Sequence, residues 1–184
     1  KETQMREELA ALGSSVLKYN FQCNVQATEE IHRKTSALAQ FVSKMRGTVV
    51  RDRFTHEITH DAYSELGTRL VKQFTKFMYG IAMYHAETEI TPRIYKMVKD
   101  MAVSTVPARN ERIVRLIYSE LDREFTSHEV AEELKIAESI CTRLLENLDM
   151  LGMVKKIHGT SNLRHLWGVT DDGLYLIEDG AIYS

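Results

Sequence analysis

The stretch TSHEVAEELKIAESICTRLLENLDMLGMVKKIH, residues 126–158, decides how the C-terminal half of this chain folds. Thr126 or Ser127 can cap a helix with Glu129 in its first turn, and Val130, Ala131 and Leu134 follow at helical spacing. A turn at Lys135–Glu138 separates it from a longer helix, Ser139–Leu151, with Ile140, Leu144, Leu145, Leu148 and Leu151 along one side. Gly152 stands where a helix C-cap belongs. The period then changes. Met153–His158 has the pattern of a strand, Gly159–Asn162 of a turn, and Leu163–Val169 of an antiparallel partner. Upstream, Arg109–Glu120 carries Ile113, Val114, Leu116 and Ile117, followed by Leu121 and a break at Glu124–Thr126. Downstream, Thr170 can cap a short closing helix, Leu174–Ile177. The tail after Glu178 is expected to be a surface extension or a strand used in packing. The order is three short helices and then a two-stranded hairpin.

That order resembles the winged helix-turn-helix class, and the phrases TSHEVAEELKI, LLENLDMLGMVKK and WGVTDDGLYLI carry the resemblance. It implies that the third helix enters a DNA major groove while the hairpin touches the backbone. The residues placed to do so are Ser139, Thr142, Arg143, Glu146 and Asn147 on the helix. On the wing they are Lys155, Lys156, His158, Asn162, Arg164 and His165. Charge argues the other way. From Ala108 to Ser184 there are 9 Lys or Arg against 14 Asp or Glu, a formal −5, whereas phosphate neutralisation supplies most duplex affinity. A protein-docking or dimerisation module therefore stands beside the DNA reading, with Glu132, Glu133, Glu138 and Glu146 offered to a partner.

Composition sets wider bounds. At 184 residues, 43% hydrophobic and 27% charged, the chain has an ordinary globular make-up. Cys23 and Cys141 are too few for a disulfide framework and suggest a reducing compartment, so a cytoplasmic location is expected, with each thiol a small buried hydrophobe. No signal peptide is visible and no apolar run approaches membrane-spanning length, so no membrane partner is expected. A start at Lys1 fits a piece of a longer protein.

Residues 1–107 hold 15 Lys or Arg and 12 Asp or Glu, a formal +3. This asymmetry, with Pro107 pushing its predecessor out of helical conformation, predicts a helical bundle over 1–106 and a winged helix over 107–184. Helices are expected over Glu2–Tyr19 and from a Thr28 cap to Met45, where Gly47 ends the second. Thr48–Asp61 is read as a loop or short hairpin. The helix Ser64–His85 has a wide apolar face of Leu66, Leu70, Phe74, Phe77, Met78, Ile81 and Ala82 that suits a bundle core. Thr91 caps a last helix with Pro92 at its first position. A homo-oligomer built on such a bundle is compatible with the pattern.

The run GTRLVKQFTKFMYGIAMYHAETEITPRIYKMVKDMAVSTVP, residues 67–107, resembles the C-terminal helical lid of AAA+ ATPases, particularly those of the minichromosome maintenance and phage or archaeal type. The resemblance spans roughly residues 27–107. It implies that Arg69 is the sensor-2 arginine touching a nucleotide γ-phosphate and that a winged helix follows the lid. The catalytic half is missing, because no GxxxxGK(S/T) phosphate cradle occurs. ATP and Mg²⁺ would enter only with a separate ATPase core, and no cofactor is expected in this chain. The bland alternative for Arg69 is a helix-surface ion pair with Glu65.

His56-Glu57-Ile58-Thr59-His60 matches HExxH, in which two histidines one helical turn apart bind zinc and the glutamate is a general base. The flanks lack the amphipathic pattern of that helix, and no third ligand has a motif of its own, so His56 and His60 remain weak metal candidates. Cys141 with His128 or His158 makes a poorer nucleophile pair, since Cys141 falls among apolar neighbours. The sequence thus predicts a mostly α protein without activity of its own. Its expected role is a DNA-associated C-terminal module of a larger AAA+-like ATPase, contacting DNA or a replication partner. A protein-interaction module, a winged-helix transcription regulator and, remotely, a zinc hydrolase are the alternatives.

Overall fold

The computed structural model describes residues 2–20, 24–52, 59, 62–158 and 165–184. Four helices come first: α1 (Glu2–Asn20), α2 (Glu29–Met45), α3 (Gly67–Tyr84) and α4 (Pro92–Ser104). The winged-helix part follows as α5 (Ala108–Ser119), β1 (Phe125–Thr126), α6 (Ser127–Leu134), α7 (Glu138–Met150), β2 (Val154–His158), β3 (His165–Val169) and α8 (Asp171–Asp179). The architecture is the expected one, mostly helical with one small antiparallel sheet.

Local chemistry explains the helix starts. Thr28, Thr91, Thr126 and Thr170 each turn a side-chain oxygen onto the backbone N–H three residues on, satisfying a donor the helix itself leaves unpaired. Gly152, at φ +68°, closes α7 in the left-handed region and redirects the chain into β2. The sheet order is β1-β3-β2. Phe125–Thr126, read from sequence as a break, is instead a third strand, with Phe125 opposite Trp167 and Thr126 opposite Leu166. Two residues carry no periodicity of their own, so the strand exists only because β3 is there to pair with it.

The bundle is built on α2, which packs against α3, α4 and α8. Leu38, Ala39, Phe41, Val42 and Met45 are fully buried. The residues before Pro107 and those after it share one hydrophobic cluster, running from Leu38 and Phe41 through Ile113 and Leu145 to Trp167 and Ile177. Polar ties cross the same seam. Asn110 donates to Met45 O at 3.1 Å, and Tyr95 Oη to Gly180 O at 2.6 Å. Buried Lys99 donates to Ala181 O at 2.7 Å and Ser184 O at 2.8 Å. Gly47 lies directly under the Leu151 side chain, so any Cβ there would collide with it. The tail after Glu178 is therefore neither a surface extension nor a strand. Ile182 is buried, and the Tyr183 ring meets those of Phe41 and Tyr118.

Two other expectations change. The Ser64–His85 helix starts at Gly67, and its apolar face is wider than the bundle can cover. Leu70, Phe74, Met78 and Ala82 are buried, but Phe77 is 53% exposed and Leu66 76%. The apolar stripe of α1 is also left open, with Met5, Leu9 and Leu12 each at least 60% exposed. Thr48 bridges to Tyr63, and Thr59 N–H donates to Val50 O at 3.1 Å, as in the arms of a hairpin. Cys23, His56, His60, Asn162 and Arg164 lie outside the described residues.

Candidate nucleic-acid interface

The start of α6 is pinned by a reciprocal capping box. Thr126 accepts from Glu129 N–H, and the Glu129 carboxylate accepts from Thr126 N–H at 2.7 Å. The bonds that the Glu129 carboxylate accepts from Thr126 N–H and from the Thr126 hydroxyl, with a further one from Arg123, hold the Glu129 pKa down at about 2. Because the folded value is depressed, the stabilisation is complete above the unfolded carboxylate range, near 4.3, and is lost as pH falls from there through about 2. In acid-titrated melts Glu129→Gln should flatten this acid limb, and Thr126→Ala should cost about 1 kcal/mol at neutral pH. A Glu129→Gln acid limb as steep as that of the parent chain would show that the carboxylate contributes nothing.

Lys135 takes the left-handed conformation, φ 56°, and turns the chain from α6 into α7. On α7, Cys141, Leu145 and Leu148 point into the core, while Glu138, Ser139 and Arg143 are exposed and Thr142 is half-buried. Trp167 Nε1 donates to Ser127 Oγ at 3.0 Å and so ties the sheet to the head of α6. Burial pushes the Cys141 thiol up to about 11. In a Cys23→Ser background Cys141 should therefore resist an aromatic disulfide reagent until denaturant is added, and fast native labelling would contradict the packing.

The two ends of α7 are in different states. At its C-terminal half the Arg51 guanidinium, reaching over from the segment that follows α2, donates to Asn147 Oδ1 at 2.9 Å and to Glu146 Oε2 at 2.9 Å. The Arg51 side chain is only 15% exposed. Asn147 and Glu146, expected from sequence to face bases or a partner, are thus engaged within the chain. The N-terminal half stays open. A 590 Å³ cleft lined by Ser127, His128, Glu138, Thr142 and His165 lies on one side of it. A second cleft, of 790 Å³, is lined by Arg51, Ser139, Ile140 and Arg143 on the other. His128 Nδ1 lies 3.2 Å from Glu138 Oε2.

The wing does not present its two lysines together. Successive residues of β2 face opposite sides of the sheet. Lys155 turns towards α8, with Nζ 3.4 Å from Asp171, while Lys156 has Nζ 6.0 Å from the Trp167 ring centroid. The backbone N–H of Lys156 also donates to the Asp149 carboxylate, whose pKa burial nevertheless raises. Arg69 lies far from this surface along the chain, at the head of α3. Its side chain is 70% exposed and 3.6 Å from Glu65, the ion pair that was its bland reading. Arg51 was missed from sequence, because nothing local couples residues 95 positions apart. His128 carried a weak signal, as an exposed residue directly after a helix start. Among the described residues, no group of three or more His, Cys, Asp or Glu is placed to hold a metal ion.

Three helices, a β-hairpin and a short third strand are the parts of a winged helix-turn-helix, and α7 is its third helix. Two solved structures are similar over part of the chain. One is a point variant of S. aureus MepR bound to an oligodeoxyribonucleotide, 17% identical, with TM-score 0.41, covering 48% of this chain and 67% of that one. The other is a cysteine-to-serine variant of Lactococcus lactis ZitR, 23% identical, with TM-score 0.36, covering 42% of this chain and 51% of that one. No protein-family model matches the chain, and no curated protein matches it in sequence. The resemblance of residues 27–107 to an AAA+ lid finds no counterpart in these comparisons. No helix among the described residues is long and apolar enough to cross a membrane.

Proposed function

We propose that the chain is a winged-helix DNA-binding protein of the transcription-regulator kind, acting in a reducing compartment, with the helical half a rigid platform on which two copies can pair. The open N-terminal half of α7 carries this reading. Helix-turn-helix proteins contact base edges with the N-terminal residues of the third helix, and here that half presents Ser139, Thr142 and Arg143 while Arg51 occupies Glu146 and Asn147 further along. Arg143 is the residue for a guanine edge, and Lys156, with Arg164 beyond the described residues, for phosphates. Asn147 and Lys155 become orienting residues, held by Arg51 and Asp171.

The formal −5 of residues 108–184 predicts few phosphate contacts and a shallow salt dependence. Fluorescence anisotropy over a salt series, with a labelled random duplex and with a site selected from a random-sequence pool, is the test. Arg143→Ala should weaken selected-site binding by about 5- to 150-fold, the worth of one good bidentate base contact. Lys156→Ala should weaken all duplexes alike and lower the salt slope by about 1. No duplex binding at low salt would overturn the DNA reading and favour a protein-docking role for the acidic face.

A second reading, the C-terminal module of a larger AAA+-like ATPase, is favoured by one observation. Arg69 stands exposed at the head of α3, where a separate core could bring a nucleotide to it. ATP and Mg²⁺ would be held by that core. The test is Arg69→Ala in the longer polypeptide, with ATP hydrolysis lost and nucleotide binding kept.

A further inference from the structure

Of the helices, α3 carries the largest net positive charge, +3. The 18 residues Gly67–Tyr84 include Arg69, Lys72 and Lys76 and not one Asp or Glu. At 100° per residue these three share one face with Gln73, Phe77, Gly80 and Tyr84, opposite the buried row of Leu70, Phe74, Met78 and Ala82. All seven residues of that outer face are exposed. The basic side chains occupy its N-terminal end. The aromatic ones occupy its C-terminal end, with Phe77 53% and Tyr84 58% exposed.

Phe77 and Tyr84 lie two turns apart, about 10 Å along the axis. Gly80 sits between them with open space where a Cβ would be. A shallow groove of 390 Å³ runs here, apolar along Phe77, Gly80, Ile81 and Met97 and flanked by Lys76 and by His85, whose ring meets Tyr84 edge-on at 5.2 Å. Glycine inside a helix is unfavourable by about 1 kcal/mol relative to alanine, and here its effect is to keep a slot open between two rings.

We infer that the outer face of α3 binds single-stranded nucleic acid, with Arg69, Lys72 and Lys76 on the phosphates and Phe77 and Tyr84 stacking unpaired bases. Cations that lead into exposed aromatic rings offer what a single strand requires, since every base has a π-face and every linkage a charge. A duplex hides its base faces and would leave both rings in water. A second copy of the same face would meet its own positive charge. Glu65, 3.6 Å from Arg69, is the internal carboxylate that a phosphate would displace.

The inference is independent of α7, and the experiment separates the two. A labelled oligothymidylate and a duplex of equal length are titrated with the full chain by anisotropy over a salt series. Oligothymidylate should bind. Phe77→Ala and Tyr84→Ala should each weaken it by about 5- to 150-fold, the range for losing one stacked base. Phe77→Trp should retain binding, and Gly80→Leu should close the slot and weaken it. Lys72→Ala with Lys76→Ala should flatten the salt slope by about 1.4, two phosphate contacts on a single strand. Arg143→Ala should leave oligothymidylate binding unchanged. Phe77 is exposed, so its variants should melt within a few degrees of the parent chain. No oligothymidylate binding, binding indifferent to Phe77 and Tyr84, or full competition by polyglutamate would each overturn the inference, the last in favour of an acidic peptide.

Discussion

Phe41→Ala is expected to lower stability by about 3–5 kcal/mol, the usual loss when a fully buried aromatic ring leaves a cavity. Phe41 is 0% exposed, on the face of α2 that supports α3, α4 and α8. Its ring also meets Tyr183 edge-on at a centroid distance of 6.3 Å. For a chain of this size the melting temperature should fall by about 2–4 °C per kcal/mol. The probe matters as much as the size of the shift. The single tryptophan, Trp167, sits in β3 on the far side of Pro107 and is 1% exposed. Since one hydrophobic cluster links Phe41 to Trp167, tryptophan fluorescence and far-UV circular dichroism should shift together. If the fluorescence transition stays in place while part of the ellipticity melts early, the chain divides at Pro107 into independently stable units, as the charge asymmetry of the sequence predicts.

Tyr183 yields a pair of predictions with opposite signs. Tyr183→Ala should cost less than Phe41→Ala, about 2–3 kcal/mol, because the ring is half-buried. The ring is wedged against Phe41 and Tyr118, with the Arg115 guanidinium 4.8 Å from its centroid. Tyr183→Phe should instead stabilise by about 1 kcal/mol. The buried hydroxyl has no hydrogen-bond partner among the described residues, and an unsatisfied buried polar group costs about 1–3 kcal/mol. The two variants in one denaturant series separate the packing of the ring from the burden of its hydroxyl. Burial raises the Tyr183 pKa. The neutral form is therefore the folded form, and its stabilisation is lost as pH rises above the unfolded value near 10. Tyr183→Phe should lose that part of the alkaline limb. Destabilisation by Tyr183→Phe at neutral pH would show that the hydroxyl is satisfied after all.

These results bear on function because the seam that Phe41 and Tyr183 fill holds the winged helix to its platform. The same orientation lets the segment after α2 deliver Arg51 onto Glu146 and Asn147. Loosening the seam should free the C-terminal half of α7, so duplex specificity and stability are linked even where no mutated residue touches DNA.

The sequence by itself determined whatever depends on near neighbours along the chain. Thr28, Thr91, Thr126 and Thr170 were legible as caps because a cap is a bond across three residues. The burial of Cys141 and the turn at Gly152 were legible because helical period and C-cap chemistry are local. The opposite facing of Lys155 and Lys156 was there to be read in the strand alternation. The candidate site on α7 was half legible, through Ser139, Thr142 and Arg143. Only the tertiary structure decided that β1 is a strand, that Arg51 reaches Glu146 and Asn147, and that the tail around Tyr183 is core. It also decided that Phe77 lies outside the bundle. An apolar residue states that it gains by burial, but how much of a helix is covered depends on how many neighbours arrive. On α3 the neighbours cover one row, and the next row, cations and rings together, is left facing solvent.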